Sequence, residues 1–143
     1  MKASLFYRIA SVLLLPYAAA HTFGFRGRNP EWGVDVDAVL RLMRSVHFDA
    51  QGFNLTYWDV FSAFGFFFSV FLLFAAVLAW LLGGLPAETL ARVRSIAWAL
   101  AICFVADTAL TWRYAFTTPI VFSMLISVCL IAAAWLSAEP RSV

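Results

Sequence analysis

The chain has 143 residues, of which 64% are hydrophobic, 17% aromatic and 13% charged. A soluble domain carries about 25% charged residues to cover its surface, so this composition excludes a soluble globule. The ten Lys and Arg against eight Asp and Glu also exclude intrinsic disorder and a basic face that binds nucleic acid. The composition therefore predicts an all-α integral membrane protein with a single transmembrane domain over residues 1–143.

Four segments are apolar and long enough to cross a bilayer, which takes about 20 helical residues because hydrocarbon offers the backbone no hydrogen-bond partners. Their predicted bounds are residues 5–25, 58–82, 86–112 and 119–136. Gly24, Gly83 and Gly84 predict where the first two helices end. Pro86 and Pro119 lie where a first helical turn tolerates a missing N–H. We therefore expect a four-helix bundle.

The N-terminal segment has two interpretations. Lys2 and Arg8 precede an apolar stretch that ends in three alanines, residues 18–20, a pattern that resembles a secretory signal with a small-residue cleavage site. The apolar character continues through residues 21–25, which favours an uncleaved span. Removal of residues 1–20 as a signal stays the alternative.

The charged residues only weakly favour one orientation of the chain in the membrane. With four spans both termini lie on one side of the membrane, and the loop of residues 26–57 lies on the other. Each side carries five of the ten Lys and Arg residues, so the positive-inside rule is tied. The first helix usually dominates orientation, and its leading end carries Lys2 and Arg8, which favours cytoplasmic termini.

The first loop contains an amphipathic pattern over residues 35–50. Apolar side chains recur there at helical spacing, while Arg41 and Arg44 occupy other faces. Asp35 or Asp37 is the expected N-cap, and Gly52 the expected helix stop. The pattern predicts a helix that lies along the membrane interface or closes over the bundle as a lid. The end of this helix places two titratable residues in the candidate lid: His47 and Asp49.

The second span carries a stripe of mostly small side chains at three- and four-residue intervals. The stripe comprises Ser62, Gly65, Ser69, Leu72, Ala76 and Ala79. Small residues let helix backbones approach closely in lipid, so this stripe predicts the face that packs inside the bundle. The phenylalanines on the other faces are expected to meet lipid or to pack within the bundle.

Ionisable residues inside spans are expensive in hydrocarbon, and two of them stand out. Asp107 lies about six residues before Arg113 in the third span, with Thr111 on its helical face as a hydrogen-bond candidate. It is either a proton acceptor or ligand counter-ion, or a structural carboxylate that reaches toward the interface or pairs with Arg113. His21 lies near the end of the first span with Tyr17 on the same face, and it either joins a proton relay or caps its own helix.

Asp59 opens the second span three residues after Thr56, which predicts a capping box with the shorter carboxylate. Alternatively, Asp59 lies at the mouth of a polar pocket with His21 and Asp107. The scattered histidines and carboxylates have no metal-ligand spacing, so neither a metal nor a cofactor is predicted.

The stretch Thr56, Tyr57, Trp58, Asp59 and the run from Phe66 to Trp80, which reads FFFSVFLLFAAVLAW, resemble an uncharacterised family of small bacterial four-span membrane proteins. The segments HTFGF and VHFD, residues 21–25 and 46–49, extend the resemblance over the first half of the chain. The resemblance implies a four-helix membrane fold in a bacterial inner membrane. It implies no activity, because the family has none assigned.

Two classes of function stay open. The favoured one is a non-catalytic membrane protein that binds a lipid, a partner membrane helix or a second copy of itself, because the visible features are packing features. The alternative is a small membrane enzyme or proton-coupled carrier that uses a one-sided polar pocket with His21 and Asp107. Whether the protein is an enzyme is undecided by the sequence.

The predicted topology can be mapped with reporter fusions placed after Gly52, Gly84 and Val143. We expect the first fusion to report the side opposite to the other two. If the first two fusions report the same side, the prediction that residues 58–82 cross the membrane is wrong. If processing removes the first 20 residues, the signal-peptide interpretation is correct and three spans remain.

Overall fold

The computed structural model describes residues 2–24 and 33–137. The described elements, in chain order, are α1 (Lys2–Gly24), α2 (Val34–Ser45), β1 (His47–Ala50), β2 (Phe53–Thr56), α3 (Tyr57–Gly84), α4 (Ala87–Arg92), α5 (Arg94–Tyr114) and α6 (Thr117–Leu136). Within these ranges four helices, α1, α3, α5 and α6, are long and apolar enough to cross a membrane. The predicted all-α membrane fold is therefore confirmed. The predicted end of the first span, Phe25, lies outside the described residues.

The third predicted span is interrupted near its start. Residues 86–112 were expected to form one helix, but α4 ends at Arg92 and α5 begins at Arg94. Between them Val93 has a non-helical backbone (φ −95°, ψ 18°). The interruption falls between two arginines and ahead of the apolar run, so the apolar crossing helix is α5 alone, which continues to Tyr114.

The amphipathic helix of the first loop is shorter than predicted. It ends at Ser45, and His47–Ala50 pairs antiparallel with Phe53–Thr56 instead of continuing the helix to residue 50. Gln51 and Gly52 form the two-residue connection with positive φ values of 58° and 89°, the combination of a type I′ hairpin turn. Gly52 thus turns a hairpin and does not stop a helix.

The start of α2 also differs from the prediction. Neither Asp35 nor Asp37 is the N-cap: the capping position is Gly33, without a side-chain hydrogen bond. Its carbonyl accepts the backbone N–H of Asp37 at 3.3 Å. The two carboxylates instead lie in the first helical turn, where the helix dipole favours negative charge.

The chain divides into two compact units. The first unit contains Met1–Ala18 and Leu72–Val143, and the second contains Ala19–Phe71. In the first unit α5 and α6 pack along their lengths, around fully buried side chains: Tyr7, Leu14, Leu72, Phe104, Ile126 and Leu130. The second unit holds α2, the hairpin and the adjoining ends of α1 and α3.

Small residues lie where α1 meets α3 in the first unit. The Ser11 hydroxyl donates to the Ala76 carbonyl at 2.8 Å, and the Ser4 hydroxyl donates to the Gly83 carbonyl. Ala76 and Ala79 are buried, as the stripe in the second span predicted. Small side chains allow this close approach, and the serine hydroxyls supply the interhelical hydrogen bonds that associate helices in lipid.

Gly83 and Gly84 offer a matched test of this packing. A Cβ atom at Gly83 would lie 3.2 Å from Ser4 O, Tyr7 Cβ and Arg8 Cγ, whereas one at Gly84 would meet only Arg8 Nη2 at 3.9 Å. Both Gly→Ala changes add helix propensity. We expect G83A to be about 1 to 3 kcal/mol less stable than G84A in detergent unfolding, because overpacking costs that much. Equal stability of the two variants would contradict the close contact.

Candidate functional site

A row of hydroxyl groups joins α5 to α6 in the first unit, and we call it the hydroxyl ladder. Its members are Thr108, Thr111, Ser123 and Ser127. The Thr108 and Ser127 hydroxyls are 2.8 Å apart, and the Thr111 and Ser123 hydroxyls are 2.9 Å apart. Thr108 also donates to the Phe104 carbonyl at 2.8 Å. The ladder therefore satisfies its hydroxyl groups with one another and with the helix backbone.

Asp107 lies directly before the ladder in α5 and is 9% exposed. Its Oδ2 atom is buried and has no hydrogen-bond partner among the residues that the structure describes. The predicted bond from Thr111 is not formed, because the Thr111 hydroxyl donates to the Thr108 carbonyl at 3.0 Å and meets Ser123. Nor does Arg113 compensate Asp107: its guanidinium lies over the Tyr114 ring, 5.1 Å from the centroid.

Tyr17 is the candidate residue that the structure brings to Asp107. Its side chain is 3% exposed, and it lies close enough for the Asp107 carboxylate charge to act on the Tyr17 hydroxyl. The Tyr17 ring stacks on Phe122 of α6, with centroids 5.4 Å apart and planes 6° from parallel. Tyr17 of α1 thus packs on α6 within the first unit.

His21 lies in a different polar contact, in the second unit. Its Nδ1 is 3.1 Å from the Ser69 hydroxyl of α3, and the Thr22 hydroxyl donates to the same oxygen at 2.8 Å. Ser69 in turn donates to the Gly65 carbonyl at 3.2 Å. The His21 ring also meets the Phe68 ring edge-on at 4.7 Å. This arrangement joins the end of α1 to α3 within the second unit.

Asp59 forms the predicted capping box. Its Oδ2 accepts the Thr56 backbone N–H at 2.9 Å and the Thr56 hydroxyl at 2.7 Å. The Asp59 backbone N–H donates to the Thr56 hydroxyl at 3.1 Å. The cap therefore engages the Asp59 carboxylate at the start of α3, as the spacing of the two residues indicated.

The two residues predicted for a lid belong to the hairpin. His47 lies opposite Thr56 in the strand pair and is close enough to Asp59 for their charges to interact. Asp49 accepts the Gly52 backbone N–H at 3.1 Å and so stabilises the turn. A helical lid that ends in these residues is therefore wrong, because strand pairing replaces the last helical turn.

The structure thus groups Tyr17 with Asp107 in the first unit, and His47 with Asp59 in the second. A shared pocket for His21 and Asp107 stays a prediction, because the two residues belong to different units. Within residues 2–24 and 33–137, no group of three or more His, Cys, Asp or Glu side chains is placed to hold a metal ion.

Sequence reasoning missed the hydroxyl ladder. The signal was the spacing of its residues: Thr108 and Thr111 lie three apart, and Ser123 and Ser127 lie four apart, in consecutive apolar helices. Each pair marks one helical face, and a short connection makes the two helices antiparallel neighbours.

No protein-family model matches the chain, and no curated protein or solved structure matches it either. The resemblance to small bacterial four-span membrane proteins therefore stays a prediction, and the site is interpreted from its own geometry.

A double-mutant cycle on Thr108→Val and Ser127→Ala measures the strength of the Thr108–Ser127 hydrogen bond in the hydroxyl ladder. We expect a coupling free energy of about 0.6 kcal/mol, the average for interhelical hydrogen bonds in a membrane protein. The measurement is the free energy of unfolding of the four proteins in mixed detergent micelles. Ser95→Ala, at an exposed position of α5, is the control and should change stability by less than about 0.5 kcal/mol. Strictly additive losses at Thr108 and Ser127 would contradict the interaction.

Proposed function

We propose that this integral membrane protein is non-catalytic and binds lipid, through the amphipathic segment between its first two spans. The single observation that carries the proposal is an apolar stripe on α2 that has no cover. Val39 and Leu42 of α2 and Val46, directly after the helix, are 55%, 59% and 44% exposed. The helix has no fully buried residue, and Val36 and Met43, next to the stripe on the same side of the helix, are half-buried.

The position of α2 between two membrane spans indicates that its exposed apolar side chains contact lipid. The helix lies between α1 and α3 in the chain, and both are long and apolar enough to cross a membrane. It is therefore held at the bilayer surface, where an amphipathic helix buries its apolar face at the boundary between headgroups and acyl chains. Arg41 is exposed on the same helix, and its long side chain can extend to lipid phosphates.

The packing of α3 favours lipid over a partner helix as the bound component. Its small side chains are already buried within the two units, at Gly65, Ser69, Ala76 and Ala79. The side chains left outward are bulky, with Phe64, Phe67 and Phe74 exposed by 67%, 69% and 61%. Flexible acyl chains adapt to such a surface, whereas close association of helices favours small residues.

The proposal includes the location of the protein. We place it in a bacterial inner membrane with both termini in the cytoplasm, on the basis of the family resemblance and the basic residues at the start of α1. The alternative function, a small membrane enzyme or proton-coupled carrier that uses His21 and Asp107, stays a prediction. The observation in its favour is the buried Asp107 Oδ2 atom, which has no hydrogen-bond partner among the described residues.

The proposed contact with lipid is tested by attaching a fluorescent label to α2 in the full chain, after Cys103 and Cys129 are replaced by alanine. We expect a label on Leu42→Cys to be quenched by lipids with brominated acyl chains, because the stripe enters the acyl boundary. A label on Arg41→Cys, exposed on the side of the helix away from the stripe, is the matched control and should be quenched less.

Equal weak quenching of the two labels would overturn the proposal. Mass spectrometry of the detergent-purified protein is a second test, which distinguishes a bound lipid from a bound partner protein. Lipids retained through purification support lipid binding, and a stoichiometric membrane protein supports the partner-helix alternative.

A further inference from the structure

An open apolar groove lies on the surface of the first unit, between the start of α1 and the last turns of α6. Its volume is about 460 Å³, within the range of about 300 to 1,000 Å³ that small-molecule sites occupy. Both helices belong to the first unit at this point. Phe6 lines the groove from α1, and five residues line it from α6: Val128, Ile131, Ala132, Trp135 and Leu136.

The side chains of the groove favour a thin occupant. Phe6 and Trp135 are large, and the one small lining residue is Ala132, which is half-buried. A helix is about 10 to 12 Å across with its side chains, and close association of helices in lipid favours small residues at the contact. An extended acyl chain is narrower and fits between large side chains. The groove therefore favours a lipid chain over a partner helix.

A basic residue of α5 lies near one side of the groove. The Trp98 ring meets the Trp135 ring edge-on, with centroids 6.5 Å apart. Arg94 is exposed and lies one helical turn before Trp98 on the same side of α5. Thr111 meets Ser123 near the start of α6, whereas Trp98 meets Trp135 near its end, so α5 runs antiparallel to α6. Arg94 therefore lies at the level where α6 ends.

A basic residue of α1 lies near the other side of the groove. Lys2 is exposed and lies one helical turn before Phe6 on the same side of α1. Tyr17 stacks on Phe122 near the start of α6, whereas Phe6 lies beside the last turns of α6. Because α1 thus also runs antiparallel to α6, Lys2 lies at the same end of the first unit as Arg94.

The charge at this end of the first unit is complementary to an anionic headgroup. Lys and Arg near the end of a span extend to the headgroup region, where they attract anionic lipids. A zwitterionic headgroup carries its own ammonium group, which competes with the protein cations for the phosphate. Among the described residues of the first unit, this end has one acidic side chain and four basic ones: Glu88 against Lys2, Arg8, Arg92 and Arg94.

We propose that this groove binds one anionic phospholipid of the surrounding bilayer, with an acyl chain along α6 and the phosphate between Lys2 and Arg94. Trp98 and Trp135 lie just below the phosphate, at the depth where tryptophan is typical of a membrane interface. The site uses residues of the first unit alone. It goes beyond the lipid contact proposed for α2, because it selects a headgroup, and it does not depend on that contact.

The test uses the full chain in phosphatidylcholine nanodiscs that contain a trace of phosphatidylglycerol with a photoactivatable diazirine on its acyl chain. We expect crosslinks on the groove residues of α1 and α6, and weaker labelling there by a phosphatidylcholine probe with the same chain. Lys2→Gln and Arg94→Gln should each lower the ratio of phosphatidylglycerol to phosphatidylcholine labelling about fivefold, the effect of one cation near the membrane surface. Arg113→Gln, the same change at the exposed opposite end of α5, is the matched control and should leave the ratio unchanged.

A second pair of variants tests the groove itself. Ala132→Phe places a large side chain in the groove and should reduce its labelling by both probes. Ala106→Phe, at an exposed position of α5 that does not line the groove, should label like the unmodified protein.

An unchanged labelling ratio in both Lys2→Gln and Arg94→Gln would overturn the proposal. Equal labelling of the groove by the two probes on the unmodified protein would also overturn it, and this arm requires no variant to fold. If a second copy of the chain covers the groove, neither probe labels it, and the proposal is wrong. None of these results bears on the quenching of labels on α2, so the two proposals fail separately.

Discussion

The absence of water in the bilayer core is the constraint on which the rest of this structure depends. Burying apolar surface gives helices little reason to associate in lipid, so close backbone approach and interhelical hydrogen bonds must hold them together. In the first unit, Ser11 bonds the backbone of α3 at Ala76, and the hydroxyl ladder joins α5 to α6. Serine and threonine hydroxyls thus add interhelical hydrogen bonds to the buried apolar packing of the first unit.

Because the bilayer core lacks water, Asp107 differs from the nearby hydroxyl residues in how its hydrogen bonds can be satisfied. A threonine or serine in a helix can donate to a carbonyl of the preceding turn, as Thr108 does to Phe104 and Ser69 does to Gly65. An ionised carboxylate has no proton to donate and finds only carbonyl oxygens along its own helix. The Thr108 and Ser69 hydroxyls are therefore satisfied within their own helices, whereas the Asp107 Oδ2 atom is not.

Outside the spans water can hydrogen-bond the backbone, and the chain forms a pair of strands there. A two-stranded hairpin leaves unpaired backbone groups along both edges, which water can satisfy and hydrocarbon cannot. The hairpin is joined to the start of α3 by aromatic contacts. Phe48 and Tyr57 lie 4.9 Å apart, and the Arg44 guanidinium lies 4.2 Å from the Trp58 ring centroid. These contacts fix the amphipathic α2 beside the helix that enters the membrane.

The sequence by itself determined the four apolar helices, the end of α3 at Gly84 and the capping box of Thr56 and Asp59, because these depend on residues within a few positions of one another. Only the tertiary structure decided that α2 ends before His47, since a strand bonds to a partner strand and hydrophobic periodicity does not record that partner. It also decided the bonds of Thr111, which the sequence assigned to Asp107. Ser123, on the next helix, shares that hydroxyl with the α5 backbone, because helix packing, not local spacing, distributes the donors.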